Sequence, residues 1–101
     1  MKKIAMIVLI MLIISIMFAK VENSSWDSSV YQVKTYLKTN LKDPKSVEYI
    51  EWSNVIREGN YYMVRCKYRA KNSFGGYAIE NQVFFIDVYS EEVVYFVDYE
   101  G

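Results

Sequence analysis

The residues of this sequence that could do chemistry are its carboxylates and one thiol, because its 101 residues contain no histidine. Histidine is the commonest general base near neutral pH and the commonest metal ligand, so Ser-His and Cys-His nucleophiles are excluded. The one cysteine, Cys66, has no second cysteine with which to form an intramolecular disulfide. Without an activating base, it is expected to be a small buried apolar residue.

Paired carboxylates are the remaining route to acid–base catalysis. The carboxylates considered are Asp27, Asp43, Glu48, Glu51, Glu80, Asp87 and Asp98. A hydrolase would need two of them within about 6–9 Å of each other, and Asp87 with Asp98 is the pair to examine. A domain this small offers little depth for a pocket, and carboxylates at strand edges reach solvent. The sequence therefore predicts no catalytic residue, no cofactor and no metal site.

The charge balance of the chain argues against nucleic acid as a partner. Twelve basic and twelve acidic residues give a net charge of zero, and without Lys2 and Lys3 only ten basic residues remain. Such a balance provides no general attraction for phosphates. Aromatic residues make up 17% of the chain, which indicates a packed domain with an aromatic-rich surface.

The first 19 residues have the pattern of a membrane-targeting segment. Lys2 and Lys3 precede an apolar run over residues 4–19 that only Ser15 interrupts. Positive charge before such a run keeps the N-terminus in the cytoplasm and directs the following chain outward. The run exceeds a usual signal-peptide core of ~7–15 residues and is near the short limit of ~17–25 residues for a spanning helix.

Two outcomes are open for this segment, a cleaved signal peptide or an uncleaved signal anchor. Ala19 is a possible cleavage position, but Met17 is bulky where a small side chain is usual, and the leader has no cysteine for lipid attachment. We predict either a protein held at the cell membrane by residues 4–19 with its domain outside, or a secreted or periplasmic protein. The predicted organisation is the leader over 1–19, a polar tether over 20–27 and one small domain over 28–101.

One amphipathic helix is predicted at the start of the domain, over about residues 28–42. Asp27 is a suitable N-cap, with Trp26 and Tyr31 placed as a hydrophobic staple, and a capping box that starts at Ser29 is the alternative. A proline after residue 43 ends the helix. An apolar stripe recurs at helical spacing through Val30, Val33, Leu37 and Leu41.

The pattern then changes to four strands, near residues 47–56, 61–71, 77–88 and 93–99, with short turn-like segments between them. Short connections favour hairpins and hence an antiparallel meander. The predicted fold class is α+β: an N-terminal hydrophobic helix, then one amphipathic helix packed on a four-stranded antiparallel meander sheet.

A trial register follows if the first hairpin loop has two residues and the second has four. The facing pairs are then Glu48–Arg69, Trp52–Arg65, Arg69–Glu80 and Cys66–Val83. Opposite charges face each other on one side of the sheet and apolar residues on the other, which supports this register.

The side of the sheet turned away from the helix is expected to be unusually apolar. Its last two strands are apolar on both sides, whereas a solvated face should alternate to polar. Arg65 is placed to stack on Trp52 or Phe84, and Tyr, Trp, Met and Arg together are typical of interface cores. The candidate partner-binding residues are Trp52, Arg65, Phe84, Ile86, Tyr95 and Val97, with Phe74 in a loop.

Two short motifs resemble those of a group of small bacterial domains. They are the LKDPxS pattern at the helix exit, residues 41–46, and the NSFGG pattern of a hairpin loop, residues 72–76. Members of the group lie behind a signal peptide, a lipoprotein signal or a membrane segment, and the likeness covers about residues 30–94. The resemblance implies an exported or membrane-anchored domain and carries over no site.

The residue types of the NSFGG motif also explain why it would form a turn. Its glycines supply positive φ for the turn, and Asn72 can cap the turn through its side chain. Phe74 at the tip either folds back on the sheet or is exposed as an anchor for a partner.

The function predicted from the sequence is a non-catalytic interaction module outside the cytoplasmic membrane. Its partner would be another envelope protein, a second copy in a homodimer, or an envelope polymer. Two alternatives remain open. One is a small hydrolase with paired carboxylates, and the other is a membrane-associated accessory subunit whose apolar strand face lies against the bilayer or an integral protein.

Overall fold

The computed structural model describes residues 21–100, so the predicted N-terminal hydrophobic helix lies outside the described residues. Within residues 21–100 the chain is α+β, with one α-helix and an antiparallel sheet of five strands. The elements are α1 (Tyr31–Asn40), a 3₁₀ turn (Pro44–Ser46), β1 (Glu48–Trp52), β2 (Ile56–Glu58), β3 (Tyr61–Lys71), β4 (Tyr77–Asp87) and β5 (Val93–Asp98). The fold class predicted from the sequence is thus confirmed in outline.

The sheet is a meander in the order β1-β3-β4-β5, and β2 pairs with the first residues of β3. The prediction of four strands was wrong, because the run 47–56 ends as β1 at Trp52 and a separate strand, β2, forms over Ile56–Glu58, mostly beyond that run. At the division the hydroxyl of Ser53, rather than a backbone carbonyl, accepts the N–H of Arg65 at 2.7 Å. The N–H of Ser53 still donates to the carbonyl of Arg65 at 2.9 Å, but the side-chain bond replaces the return bond of a regular ladder, and the chain leaves β3 after Ser53.

Helix α1 is shorter than predicted at both ends. Ser28 has φ +64°, and the carboxylate of Asp27 accepts the N–H of Ser29 at 3.0 Å, so these residues form a turn instead of a helix start. The N-cap is Val30, which makes no side-chain capping bond. Trp26 is 95% exposed and forms no staple. The helix ends at Asn40, because Leu41 is already extended.

The hydrophobic core lies between α1 and the side of the sheet that α1 covers. The rings of Tyr36 in α1 and Phe84 in β4 meet edge to face with 6.0 Å between centroids. The buried amide of Gln82 accepts the hydroxyl of Tyr68 at 2.8 Å, so burial leaves neither group unpaired. The core residues are Val21, Val30, Val33, Leu37, Val64, Cys66, Tyr68, Ala70, Phe84 and Ile86.

The β3–β4 register differs by one residue from the trial register. Tyr68 faces Glu80 and Cys66 faces Gln82, because the connecting loop has five residues, 72–76, and not four. A one-residue shift moves every side chain of a strand to the opposite side. Phe84 and Ile86 are therefore fully buried beneath α1, with 0% of either side chain exposed, and their assignment to the outward face was wrong.

Strand β1 contains a bulge between Tyr49 and Glu51. Before the bulge, Glu48 faces Arg69 as predicted. After it, Trp52 faces Cys66 and not Arg65, so its side chain lies on the helix-covered side and packs against the core. The extra residue in a bulge reverses the alternation of the strand beyond it, which makes the outward assignment of Trp52 wrong.

Residues 21–27, which lie within the predicted polar tether, are bonded to the rest of the described chain. Val21 is buried in the core. The side-chain amide of Asn23 donates to the carbonyls of Ser28 at 2.8 Å and Ser53 at 2.9 Å, and its oxygen accepts the N–H of Val55 at 2.9 Å. The domain therefore begins at or before residue 21, with its N-terminal segment bonded to the β1–β2 connection.

Candidate functional site

The side of the sheet opposite α1 is the candidate site, and we call it the open face. Strand β3 contributes its alternate residues from Tyr61 to Lys71, and these face alternate residues of β4. Its members are Tyr61, Met63, Arg65, Lys67, Arg69 and Lys71 of β3, Tyr77, Ile79, Asn81, Val83 and Phe85 of β4, and Tyr95 and Val97 of β5. The face divides along the strands into an apolar half and a basic half.

The apolar half centres on three aromatic rings. Phe85 and Tyr95 are stacked, with 4.3 Å between centroids and 12° between planes. Tyr61 meets both rings edge to face, at 6.1 Å from Phe85 and 5.8 Å from Tyr95. Stacked and edge-to-face pairs fix the orientation of rings, so the cluster presents a preformed surface. Ile56 and Val97 beside it are both about half exposed.

The basic half begins at Arg65, which is held on three sides. Its guanidinium is ion-paired with Glu51, donates to Asn81 Oδ1 at 2.9 Å and lies 5.2 Å from the ring centre of Tyr99. The hydrogen bond and the charge of Arg65 lower the pKa of the Glu51 carboxyl. Arg65 is therefore fixed in position and acts as the boundary between the two halves.

Beyond Arg65, two of the three remaining cations of β3 lie beside one ring. The guanidinium of Arg69 lies 3.9 Å from the ring centre of Tyr77, and the ammonium of Lys71 lies 5.5 Å from it. Arg69 also contacts Glu48 at 3.4 Å. Arg65 and Arg69 are the two cations that form ion pairs within residues 21–100. Lys67 and Lys71 form none there, so they carry the surplus positive charge of this half.

The loop beside the basic half exposes Phe74. Asn72 Oδ1 accepts the N–H groups of Phe74 at 2.9 Å and Gly76 at 3.2 Å, and Gly75 has φ +81°. The glycine supplies the left-handed backbone that such a turn requires. Phe74 is 96% exposed, so the expectation that it folds back on the sheet is wrong. That the exposed ring anchors a partner stays a prediction.

The predicted partner-binding residues are thus divided between the two sides of the sheet. Arg65, Tyr95 and Val97 lie on the open face. Trp52, Phe84 and Ile86 lie on the side that α1 covers. The residues that the sequence reasoning missed are Ile79, Val83 and Phe85. The sequence signal for them is weak: Asn72 is a residue type that favours turns, and only its side-chain bonds assign it to the loop and make the loop odd in length.

Asp87 and Asp98, the pair that the hydrolase alternative would need, are not brought together. Asp98 faces Gln82, five residues along β4 from Asp87, which at ~3.3 Å per residue separates them by about 16 Å. The carboxylate of Asp87 accepts the N–H groups of Tyr89 and Ser90 at 2.8 Å each, and these bonds lower its pKa. Asp87 therefore serves the β4–β5 turn.

The thiol of Cys66 lies in the core, where Cys66 of β3 is paired with Gln82 of β4. Burial raises its pKa to about 12, against a weaker lowering by the charge of Arg65. A thiol with so high a pKa is protonated at neutral pH and is a poor nucleophile.

Residues 21–100 contain neither a membrane-spanning helix nor a metal-binding cluster. No helix in this part of the chain is long and apolar enough to cross a membrane. No group of three or more His, Cys, Asp or Glu side chains in the same range is arranged to hold a metal ion.

Comparison of the chain with models of known protein families, with curated proteins and with solved structures finds no match.

Proposed function

We propose that this protein is a non-catalytic docking module on the outer side of the cytoplasmic membrane, and that its open face binds another protein of the cell envelope. The observation that carries the proposal is the preformed cluster of Tyr61, Phe85 and Tyr95 beside a row of cations. Aromatic residues, Met and Arg are enriched in interface cores. The cluster supplies apolar contact area, and the cations supply orientation.

The charge of the open face favours an acidic partner. Arg65 and Arg69 are matched by Glu51 and Glu48 of the same domain, whereas Lys67 and Lys71 are not ion-paired within residues 21–100. A partner with an apolar strip flanked by carboxylates would complement both halves, because opposite potentials steer association and fix its register. Two copies of this face stacked with their basic halves together would instead repel each other.

The proposed location rests on the sequence. Lys2 and Lys3 before the apolar run 4–19 favour a chain whose domain lies outside the cytoplasm. The resemblance of the LKDPxS and NSFGG motifs to small exported bacterial domains supports the same location.

Photo-crosslinking in the native host tests the proposal. A photoreactive amino acid replaces Ile79, which is 62% exposed at the centre of the basic half, in the otherwise unchanged full chain. We expect a discrete adduct with a second envelope protein, and that protein should present carboxylates around the crosslinked position. The matched control places the same group at Thr39, on the exposed side of α1, where no adduct is expected.

Charge reversal on the crosslinking background shows whether the basic row is responsible. The change K67E/K71E should abolish the adduct, whereas K34E/K38E on α1 alters the net charge equally and should leave it intact. An adduct of twice the chain mass would identify a homodimer and overturn the proposal. Sedimentation of the purified protein with and without Y95K/V97K would also show whether a homodimer forms through this face. A ladder of adducts with a polymer, or no adduct, would also overturn it.

A further inference from the structure

A second exposed surface lies where the chain enters the domain. The turn over residues 24–29 is closed by two backbone bonds, from Ser24 N–H to the carbonyl of Ser29 at 2.7 Å and from Ser28 N–H to the carbonyl of Ser24 at 3.0 Å. The Ser24 hydroxyl also accepts the N–H of Trp26 at 3.2 Å. With its backbone so held, the turn projects Trp26 outward, with 95% of the residue exposed.

The described part of the domain begins close in sequence to the apolar run 4–19. Val21 is buried in the core and Asn23 is bonded to the β1–β2 connection, so the domain starts within two residues of the end of that run. Two residues span at most about 7 Å. The headgroup layer on each side of a bilayer is about 5–7 Å thick. If the run stays in the membrane, Val21 is therefore held in or at the headgroup layer.

We propose that Trp26 is an interfacial membrane anchor, which inserts into the headgroup layer next to the membrane-spanning run and fixes the orientation of the domain on the bilayer. Trp is enriched at the membrane–water interface, where its ring meets an apolar region and its N–H a polar one. Tyr31 at the start of α1, also largely exposed, lies five residues further along the chain. The lipid surface that suits this site is zwitterionic, because Glu22 and Asp27 flank the turn with negative charge.

This inference depends on the leader remaining attached and is independent of what the open face binds. It also differs from an ordinary flexible linkage, in which a domain tumbles above the membrane. Burial of Val21 in the core shortens that linkage, so the turn stays close to the bilayer surface.

Depth-dependent quenching in vesicles tests the inference, because the chain has two Trp residues and each can be observed alone. The full chain is reconstituted into phosphatidylcholine vesicles with and without bromine on the acyl chains. W52F reports on Trp26, and W26F reports on Trp52, which is packed against the core. We expect Trp26 to emit at shorter wavelength than in water and to lose roughly half of its emission to the brominated lipid, with Trp52 little affected.

Two results would overturn the inference. The first is unquenched, water-like emission from Trp26 in vesicles where protease protection shows that the leader has inserted. The second is a mature protein in the native host whose intact mass lacks residues 1–19. Equal quenching of both Trp residues would indicate general adsorption of the domain and would also contradict a specific role for Trp26.

Discussion

The rings of Phe85 and Tyr95 stack across β4 and β5, with 4.3 Å between their centroids, on the side of the sheet away from α1. Their neighbours in sequence, Phe84 and Phe96, meet on the helix side at 5.9 Å. The two adjacent pairs thus point in opposite directions. One lies on the helix-covered side, where Phe84 is buried and Phe96 is partly exposed, and the other points toward the proposed partner. The side chains of this hairpin are therefore divided between the core and the proposed binding face.

The division predicts unequal effects for two neighbouring substitutions. F84A empties a fully buried position and should lower the free energy of unfolding by about 3–5 kcal/mol. F85A loses the stacking on Tyr95, which contributes about 0.5–1.5 kcal/mol beyond buried area, and should cost clearly less. Urea denaturation of the two variants measures the difference. If F85A cost more stability than F84A, the result would instead support the register in which Phe85 faces the core.

Much of the fold could be predicted from the sequence, because hydrophobic period and turn residues are local signals. The strand ranges of β3, β4 and β5 follow from them, as does Glu48 opposite Arg69. The face of β4 could not be predicted in the same way. It depends on whether the loop has four or five residues, and that is decided by which N–H groups the Asn72 side chain accepts.

The candidate site was predicted in part for the same reason. Residues of β3 were assigned to the correct side, since Arg65, Lys67 and Arg69 alternate with buried residues. Trp52 was not, because a bulge leaves no signature in a run as short as β1. The anchoring of Val21 and Asn23 was missed because a polar segment before a domain is usually free, and its partners lie about 30 residues away.

Removing the side chain of Asn23 should loosen the N-terminal segment. N23A deletes three hydrogen bonds and leaves the carbonyl of Ser53 and the N–H of Val55 without them, which should cost about 1–3 kcal/mol. Hydrogen exchange at Val55 should become faster. The control S25A alters an exposed neighbour and should change neither quantity. Equal behaviour of the two variants would mean that the segment is not bonded as described.

The hydroxyl of Ser46 joins the helix exit to the end of β3. It donates to the carbonyl of Asp43 at 2.7 Å and accepts the N–H of Lys71 at 2.9 Å. S46A leaves that N–H unpaired and should lower the free energy of unfolding by about 1–3 kcal/mol in urea denaturation. S73A, in the exposed loop nearby, should be neutral to within about 0.5 kcal/mol. A neutral S46A would show that water replaces the bond.

The turn after β4 should make stability fall in acid. The N–H groups of Ser90 and Tyr89 hold the pKa of Asp87 below its ordinary 3.8 in the folded protein. The carboxylate therefore stabilises the fold fully above pH 3.8 and loses this contribution as the pH falls through the lower folded value. D87N should flatten the acid limb of a plot of unfolding free energy against pH. An unchanged limb would contradict the role of Asp87.

The thiol of Cys66 should react only when the core opens. Burial raises its pKa to about 12 from an ordinary 9.0, so the folded state is favoured below pH 9 and loses that preference as the pH rises toward 12. An aromatic disulfide reagent at pH 8 should label the native protein slowly and the urea-unfolded protein at once. C66A should weaken the alkaline loss of stability, while the partly buried Tyr49 and the buried Tyr68, whose pKa values burial also raises, keep part of it. Rapid labelling of the native protein would contradict the burial.

The odd number of residues in the loop from Asn72 to Gly76 places a constraint on how this protein can evolve. Deleting or inserting one residue there would exchange the two sides of β4, so that Phe85 and Val83 would enter the core while Phe84 and Ile86 met solvent. Most point substitutions in the loop alter one exposed side chain. Selection should therefore tolerate amino-acid substitutions in this loop far more readily than any change in its length.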